Sequence, residues 1–305
     1  MTALPWNRRL PFCPACEQVR KPVKANLREK PYSRICVTDL DGTLLNCEHE
    51  ISPPNLSALK ELGEMGVCRV AATGRSLYSL RKVLTADVPF DYAIFSTGAG
   101  MMNWKTQEII LARHIDVTMV EKTFRKLVKL GEDFMLHAPI PENHRFLAVQ
   151  GRNLADFNRR ISIYQPFGEV WNGVYPLPWQ EAAQFLVIAD GMDEALCLHL
   201  SKLLAPLKVV RTTSPLDHVS LWIEIFSPEV SKGSAVQYLM DALGIEPADV
   251  MAVGNDYNDV DMLKLTKRSY VTSNAPEPLK RIYQVVSDYN NHGFAEAVSD
   301  WRTSF

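Results

Sequence analysis

The phrase Asp39-Leu40-Asp41-Gly42-Thr43-Leu44-Leu45 sets two carboxylates one residue apart, directly after the β-branched run Ile35-Cys36-Val37-Thr38. Carboxylates placed in this way can divide labour. Asp39 is the candidate nucleophile and metal ligand, and Asp41, on the following turn, the candidate general acid and base. Gly42 lets that turn form. An isolated pair of this kind often does no more than cap a turn, but the complete seven-residue phrase is much rarer. A second phrase, Ala72-Thr73-Gly74-Arg75, follows another apolar run. A hydroxyl and a backbone N–H ahead of a helix make a phosphate seat, to which Arg75 adds charge; the bland alternative is a plain strand-to-helix turn.

These groups need a scaffold that brings strand ends together. Ile35 to Thr38, Cys68 to Ala72 and Tyr92 to Phe95 read as buried strands. Between them, Ser52 caps a helix opened by Pro53 and Pro54, with apolar positions at Leu56, Leu59, Leu62 and Met65 and a stop at Gly66; a second helix runs from Leu77 to Leu84. This β–α–β–α–β alternation predicts an α/β fold with a doubly wound, Rossmann-like parallel sheet, whose site lies at the carboxyl ends of the strands. After Gly98-Ala99-Gly100 the rhythm breaks. Helices over Val117–Leu130, Leu154–Ile163 and Asp193–Leu204 mix with strands at Phe134–His137, Phe146–Val149, Phe185–Ile188 and Val209–Thr212, which predicts an α+β insert. The first rhythm then resumes with a strand over Ser220–Ile225, a helix over Lys232–Leu243, a strand over Val250–Val253, a helix over Asp259–Leu265 and a strand over Ser269–Val271. The expected organisation is a head at 1–33, a core at 34–112 and 214–305, and an insert at 113–213. No repeat of 20 to 50 residues is present, so solenoids and propellers are excluded.

The Asp39–Leu45 phrase resembles the first motif of the haloacid dehalogenase superfamily of aspartate-nucleophile phosphatases. Ala72-Thr73-Gly74-Arg75 is similar to its second motif, which implies that the Thr73 hydroxyl hydrogen-bonds the transferring phosphoryl group. Ser231-Lys232-Gly233 resembles the third, which implies that Lys232 neutralises charge between nucleophile and phosphate. Gly254-Asn255-Asp256-Tyr257-Asn258-Asp259 resembles the fourth, which implies acidic contacts around Mg²⁺. The family pattern has Asp where Asn255 stands, so Asn255 and Asp256 rank as near-equal candidate ligands beside Asp39 and Asp41. Asp259 joins the metal set, more as an outer contact that orients water and Lys232. The substrate-binding candidates are Thr43, Gly74, Arg75 and Asn258. Ser96-Thr97-Gly98-Ala99 and Ser273-Asn274-Ala275 are weaker echoes, Thr97 replacing the family's Asn. About 155 residues separate the second and third motifs, which implies a large cap inserted there, as in Cof-like sugar-phosphate phosphatases. The implied reaction is Mg²⁺-dependent hydrolysis of phosphate monoesters of small metabolites, among them sugar phosphates, through an aspartyl-phosphate. The alternatives are a phosphomannomutase-like phosphotransferase and a phosphometabolite-binding regulatory protein with weak catalysis.

The rest of the composition bounds these readings. With 305 residues, 47% hydrophobic and 22% charged, the chain fits about two globular domains rather than a fibrous or disordered class. Residues 1–33 hold seven Lys or Arg against two Glu, so the head carries +5 and the remainder −7 of the net −2. An acidic body leaves no broad footprint for nucleic acid, whereas gathered carboxylates suit a hard divalent cation. Six scattered cysteines make no disulfide framework, and Cys13-Pro14-Ala15-Cys16 alone is a weak zinc or redox signal. No apolar run is long enough to span a bilayer and no signal-peptide h-region is present, so a cytoplasmic protein without membrane partners is expected. In the insert, Trp171, Tyr175 and Trp179 are expected in the packing, and His137, His144 and Arg145 on a solvated surface.

Overall fold

The computed structural model describes residues 32–303 apart from 192, 215 and 218; all but the last two residues of the basic head, including Cys13 and Cys16, lie outside the described residues. The strands are β1 (Arg34–Thr38), β2 (Val67–Ala72), β3 (Tyr92–Phe95), β4 (Gly100–Asn103), β5 (Ile109–Ala112), β6 (Asp133–His137), β7 (Phe146–Val149) and β8 (Gly168–Val170). They continue with β9 (Gln184–Ala189), β10 (Lys208–Thr213), β11 (Leu221–Phe226), β12 (Val250–Gly254), β13 (Arg268–Thr272) and β14 (Gln284–Val286). An eight-stranded sheet has the order β14-β13-β12-β1-β2-β3-β4-β5, and a six-stranded sheet the order β10-β11-β9-β6-β7-β8.

In the larger sheet every pair from β14 to β3 is parallel, and β4 and β5 add an antiparallel edge. Helices cover both faces, which explains why β1 reads as an unbroken apolar run: Ile35 and Val37 pack on one side with Val236, Leu239 and Met262, and Cys36 on the other with Leu59, Phe294 and Trp301. The helix Pro53–Glu64 begins with its two prolines, as expected, but the Ser52 side chain does not cap it. Its hydroxyl instead meets His292 Nδ1 at 2.9 Å.

The smaller sheet is antiparallel except for the β7–β8 edge pair. One face, with Phe134, Leu136, Phe185 and Ile223, packs on the helices Val117–Leu130 and Glu194–Leu203; the other, with Met135, Leu186 and Trp222, packs on Phe157 of the helix Ala155–Ile163. One expectation is corrected here. The stretch from 214 does not return to the first layer, because β11 pairs antiparallel with β9 and β10 in the six-stranded sheet. A six-residue run of mostly apolar side chains satisfies either sheet, and only its partners decide between them. The chain passes between layers after Phe226 and enters the helix Lys232–Leu243. The edge hairpin β4–β5 and the helix Gly293–Arg302 are two elements that the apolar pattern does not announce. Among the described residues, no helix is long and apolar enough to cross a membrane.

Candidate active site

β1 lies at the centre of the eight-stranded sheet, between β2 and β12, where the order of connections reverses. Such a switch point leaves a crevice beyond the carboxyl ends of the strands. The Asp39 N–H donates to the Val253 carbonyl at 2.9 Å and thus extends the ladder by one residue. The Leu40 carbonyl then accepts from the N–H groups of Thr43, Leu44 and Leu45, which folds the chain back into a tight turn. Gly42 is required there: its φ is +74°, and a Cβ would stand 2.5 Å from the Asn255 side chain. Its carbonyl accepts from Thr272 Oγ1 at 3.1 Å and Asn274 Nδ2 at 3.0 Å, so the late Ser-Asn-Ala phrase fastens the acidic loop.

Asp39 is 5% exposed, and Lys232, in the first turn of its helix, is fully buried beside it. Lys232 Nζ donates to Asp39 Oδ1 at 2.6 Å and to Asp259 Oδ1 at 2.7 Å. Burial pushes the Lys232 ammonium down, yet the Asp259 and Asp39 carboxylates outweigh it and hold the lysine charged above its ordinary range. Burial pushes the Asp39 carboxyl up; Lys232 opposes the rise, while Asp259 and Asp41 add to it. Asp259 Oδ2 accepts from the N–H groups of Asn255 and Asp256 at 2.8 and 3.0 Å. Both Asp259 oxygens are thus engaged, one with Lys232 and the other with the 254–256 loop.

Asp41 occupies a wetter place, its side chain 42% exposed. Arg75 Nε and Nη2 donate to its two oxygens at 2.7 and 2.5 Å, a bidentate pair, and Arg75 therefore faces the candidate acid/base rather than an open phosphate seat. Thr73, 1% exposed, accepts the Arg75 N–H at 3.1 Å through Oγ1. Its own hydroxyl hydrogen remains to donate. Beyond Gly74 stand Thr97 Oγ1 and Asn258 Nδ2, at 3.5 and 3.7 Å from where a Cβ would be, so Asn258 borders the Thr73–Gly74 turn. Thr43 is fully buried, and its Oγ1 donates to Asp39 Oδ2 at 3.3 Å.

The fourth phrase resolves into two roles. The terminal atom of the Asn255 amide lies 3.2 Å from the Asp41 carbonyl oxygen and 3.3 Å from both Asp39 Oδ2 and Thr43 Oγ1. With nitrogen at that corner the amide donates to its neighbours; with oxygen there, Asn255, Asp39 and the Asp41 carbonyl form a trio of converging oxygens. Adjacent oxygens around a Mg²⁺ with bonds of about 2.1 Å lie about 3 Å apart, close to the two spacings measured from the Asn255 corner. Charge favours a cation there, since Asp39, Asp41 and Asp259 face Lys232 and Arg75, and an incoming phosphate adds further negative charge. Asp256 takes no part in the trio. Its carboxylate accepts the Tyr257 N–H at 2.7 Å and caps a short 3₁₀ turn, which separates the two residues that the sequence ranks together.

Two residues escaped the sequence reading, and a third was misplaced by it. Glu224 of β11, 8% exposed, accepts from Thr97 Oγ1 at 3.2 Å, and Asn143 Nδ2 donates to Ser96 Oγ at 2.6 Å. The lone carboxylate within Leu221-Trp222-Ile223-Glu224-Ile225-Phe226 was the available signal. The third is His137, which is not solvated: it is 4% exposed, and burial pushes its imidazole down to about 3. His144 is likewise mostly covered, stacked on Tyr78 at 4.8 Å, whereas Arg145 is exposed as expected. Trp171 and Tyr175 pack on Phe124 at 5.1 and 6.1 Å, and Trp179 joins the same cluster.

A family model for haloacid dehalogenase-like hydrolases matches residues 36–298. The chain is 29% identical over 276 residues to a putative phosphatase, YxeH, of Bacillus subtilis, covering 88% of this chain and 97% of that protein. It is 28% identical over 281 residues to the chloroplastic endoribonuclease YBEY of Arabidopsis thaliana; there the match covers 88% of this chain but spans only 46% of the relative's length. Among solved structures, the phosphatase BT1666 from Bacteroides thetaiotaomicron superposes with a TM-score of 0.73 at 22% identity, over 90% of this chain and 97% of that one, which is a likeness of fold.

Proposed function

The chain belongs to the haloacid dehalogenase-like hydrolases, in the Cof-type phosphatase branch, and from that premise we propose that it hydrolyses phosphate monoesters of small metabolites with Asp39 as nucleophile. In this reading the eight-stranded layer is the catalytic core and the six-stranded layer is the cap. The observation that carries it is the buried Lys232 ammonium between Asp39 and Asp259, beside a Thr73–Gly74 turn that can receive a phosphoryl group.

Asp39 attacks phosphorus, an oxygen–phosphorus bond forms to the carboxylate, and the ester bond to the alcohol breaks. Asp41 gives the departing alkoxide its proton. It then takes a proton from the water that attacks the aspartyl-phosphate, releasing inorganic phosphate and restoring Asp39. Thr73 donates to a phosphoryl oxygen, and Lys232 offsets negative charge where nucleophile and phosphate meet. Arg75 fixes the Asp41 carboxylate in a single orientation until the alcohol requires it. Asp39, the Asp41 carbonyl and Asn255 would hold Mg²⁺, whose charge screens the repulsion between a carboxylate nucleophile and an anionic ester.

The test is a panel of phosphorylated metabolites assayed for phosphate release with Mg²⁺ and with chelator, comparing the native chain with Asp39→Asn. Metal-dependent release, lost in the variant by at least about 10³-fold, is expected. Undiminished release from Asp39→Asn removes the nucleophile assignment, and transfer to an acceptor without phosphate release would mark a phosphotransferase instead.

A further inference from the structure

The seam between the two layers holds a line of buried polar groups that the reaction above does not use. It starts at the phosphoryl seat, where the Thr97 N–H donates to the Thr73 carbonyl at 3.0 Å. Thr97 Oγ1 donates to Glu224, which projects from β11, and the neighbouring Ser96 Oγ accepts from Asn143 Nδ2. Asn143 in turn accepts His137 Nδ1 on its backbone carbonyl at 2.9 Å. Contiguous hydrogen bonds therefore lead from the seat into the six-stranded layer.

Three members of this line end in acceptors. His137 Nδ1 faces a carbonyl and must carry the imidazole hydrogen, which leaves Nε2 as a bare acceptor. That atom and Asn143 Oδ1 are buried and have no hydrogen-bond partner among the described residues. Glu224 adds a carboxylate that takes one hydroxyl. Close by, Arg160 lies 4.4 Å over the Trp222 ring, on the same face of β11 as Glu224, and its buried Nε has no partner among the described residues either. Unpaired buried acceptors are costly and uncommon in folded proteins. Clustered beside a reactive centre, they call for a ligand that donates hydrogen bonds. The backbone agrees: Ser96 and Thr97 hold φ of +50° and +56°, a region unfavourable for a β-branched side chain, and this strain aims Thr97 Oγ1 at Glu224.

We propose that Glu224, Asn143 and His137 form the specificity subsite of the enzyme, receiving the hydroxyl groups of the leaving alcohol next to the phosphoryl seat at Thr73 and Gly74. The inference rests on the phosphatase reading and adds to it the groups that choose the alcohol. Hydroxyl-bearing carbon chains fit because each hydroxyl donates to one acceptor and accepts from a donor such as Arg160 Nε. An aryl or alkyl ester without further hydroxyls leaves the acceptors unpaired.

The test compares kcat/KM for sorbitol 6-phosphate, ribose 5-phosphate and phenyl phosphate, in the native chain, Glu224→Gln and His137→Phe. The readout is the ratio of the better polyhydroxy ester to phenyl phosphate. We expect the native chain to favour the polyhydroxy ester by about 100-fold or more, and that ratio to fall about 10- to 100-fold in Glu224→Gln and by a smaller factor in His137→Phe. Circular dichroism identifies folded variants, and either one that folds decides the matter. If neither native ester class releases phosphate, the phosphatase reading itself fails. If phenyl phosphate is turned over but the native ratio is near one, or the folded variants keep the native ratio, the subsite is refuted and its acceptors only hold structural water.

Discussion

Lys232→Met tests the centre of the site through stability as well as rate. The substitution keeps an unbranched side chain of similar length and removes a cation that is fully buried and lies 2.6 and 2.7 Å from two carboxylates. Breaking a buried pair from one side leaves charge uncompensated, at about 3–5 kcal/mol. Asp259 keeps its two backbone N–H donors and Asp39 keeps Thr43, which sets the expectation near the lower end, about 3 kcal/mol at pH 8. The pH dependence has a definite sign. Burial already raises the Asp39 carboxyl, and the variant loses Lys232, the cation that opposes that rise. A carboxyl whose folded pKa exceeds its unfolded value favours the fold at low pH and loses that contribution as pH climbs through the folded pKa. The variant should therefore be closer to the native chain at pH 5 than at pH 8. Adding Asp259→Asn removes one stranded charge, so the double variant should regain about 1–3 kcal/mol over Lys232→Met while phosphate release stays lost. Urea unfolding followed by tryptophan fluorescence at both pH values measures all of this. A Lys232→Met variant within about 1 kcal/mol of native at pH 8, or additive losses in the double variant, would refute the view of Lys232 as the counter-charge of two buried carboxylates.

Asn255→Asp adds a charged oxygen to the proposed Mg²⁺ trio, so half-maximal phosphate release should need several-fold less Mg²⁺; an unchanged or higher requirement in the titration would place the cation elsewhere. Thr97→Asn exchanges a β-branched residue at φ +56° for one that tolerates this region, and the thermal midpoint should rise by about 1–3 °C. A fall in the midpoint would mean that the threonine methyl packing outweighs the strain. Burial pushes the Glu224 carboxyl up to about 7, although Thr97, Arg160 and Lys232 oppose it. Glu224 should accordingly contribute a loss of up to about 3 kcal/mol between pH 4.5 and pH 7, and Glu224→Gln removes that contribution from the slope in parallel urea titrations. Identical slopes in the two proteins would show that Glu224 titrates as it does in the unfolded chain.

The core was legible because its signals are local. Strands buried on both faces leave unbroken runs such as Ile35–Thr38, and the loops that follow carry uncommon residue combinations at strand tips. The seam was not legible, because its chemistry depends on which layer receives β11. Read as a strand of the first layer, Glu224 is one polar residue in an apolar run. Placed between β9 and β10, it points at Thr97 and belongs to the site. Asn255 and Asp256 are similar in another respect: neighbouring side chains on a turn face different ways, and only the close approach to Gly42 reveals that Asn255 meets the acidic loop. His137 was misjudged because a histidine at the end of a short apolar run carries no mark of burial, whereas its register opposite Gln184 and Phe146 puts it inside.

Asp39 and Asp41 are chemically the same group two positions apart, and the fold gives them opposite surroundings. Asp39 ends the central strand, so its side chain is enclosed by the layers and by a cation that no water reaches. Asp41 lies on the turn that Gly42 makes possible, at the rim, where solvent and Arg75 share it. A nucleophile needs a dry, fixed position facing phosphorus; an acid/base needs access to water and a partner that holds it without burying it. In the proposed mechanism, environment rather than identity assigns the two roles, as in other pairs of carboxyl groups that take different tasks. Exchanging the surroundings would be fatal, because a water-exposed Asp39 would lose its alignment with Lys232 and a buried Asp41 could not exchange its proton. The one-residue spacing is the shortest that carries the chain from the strand's last ladder bond to the far side of its turn.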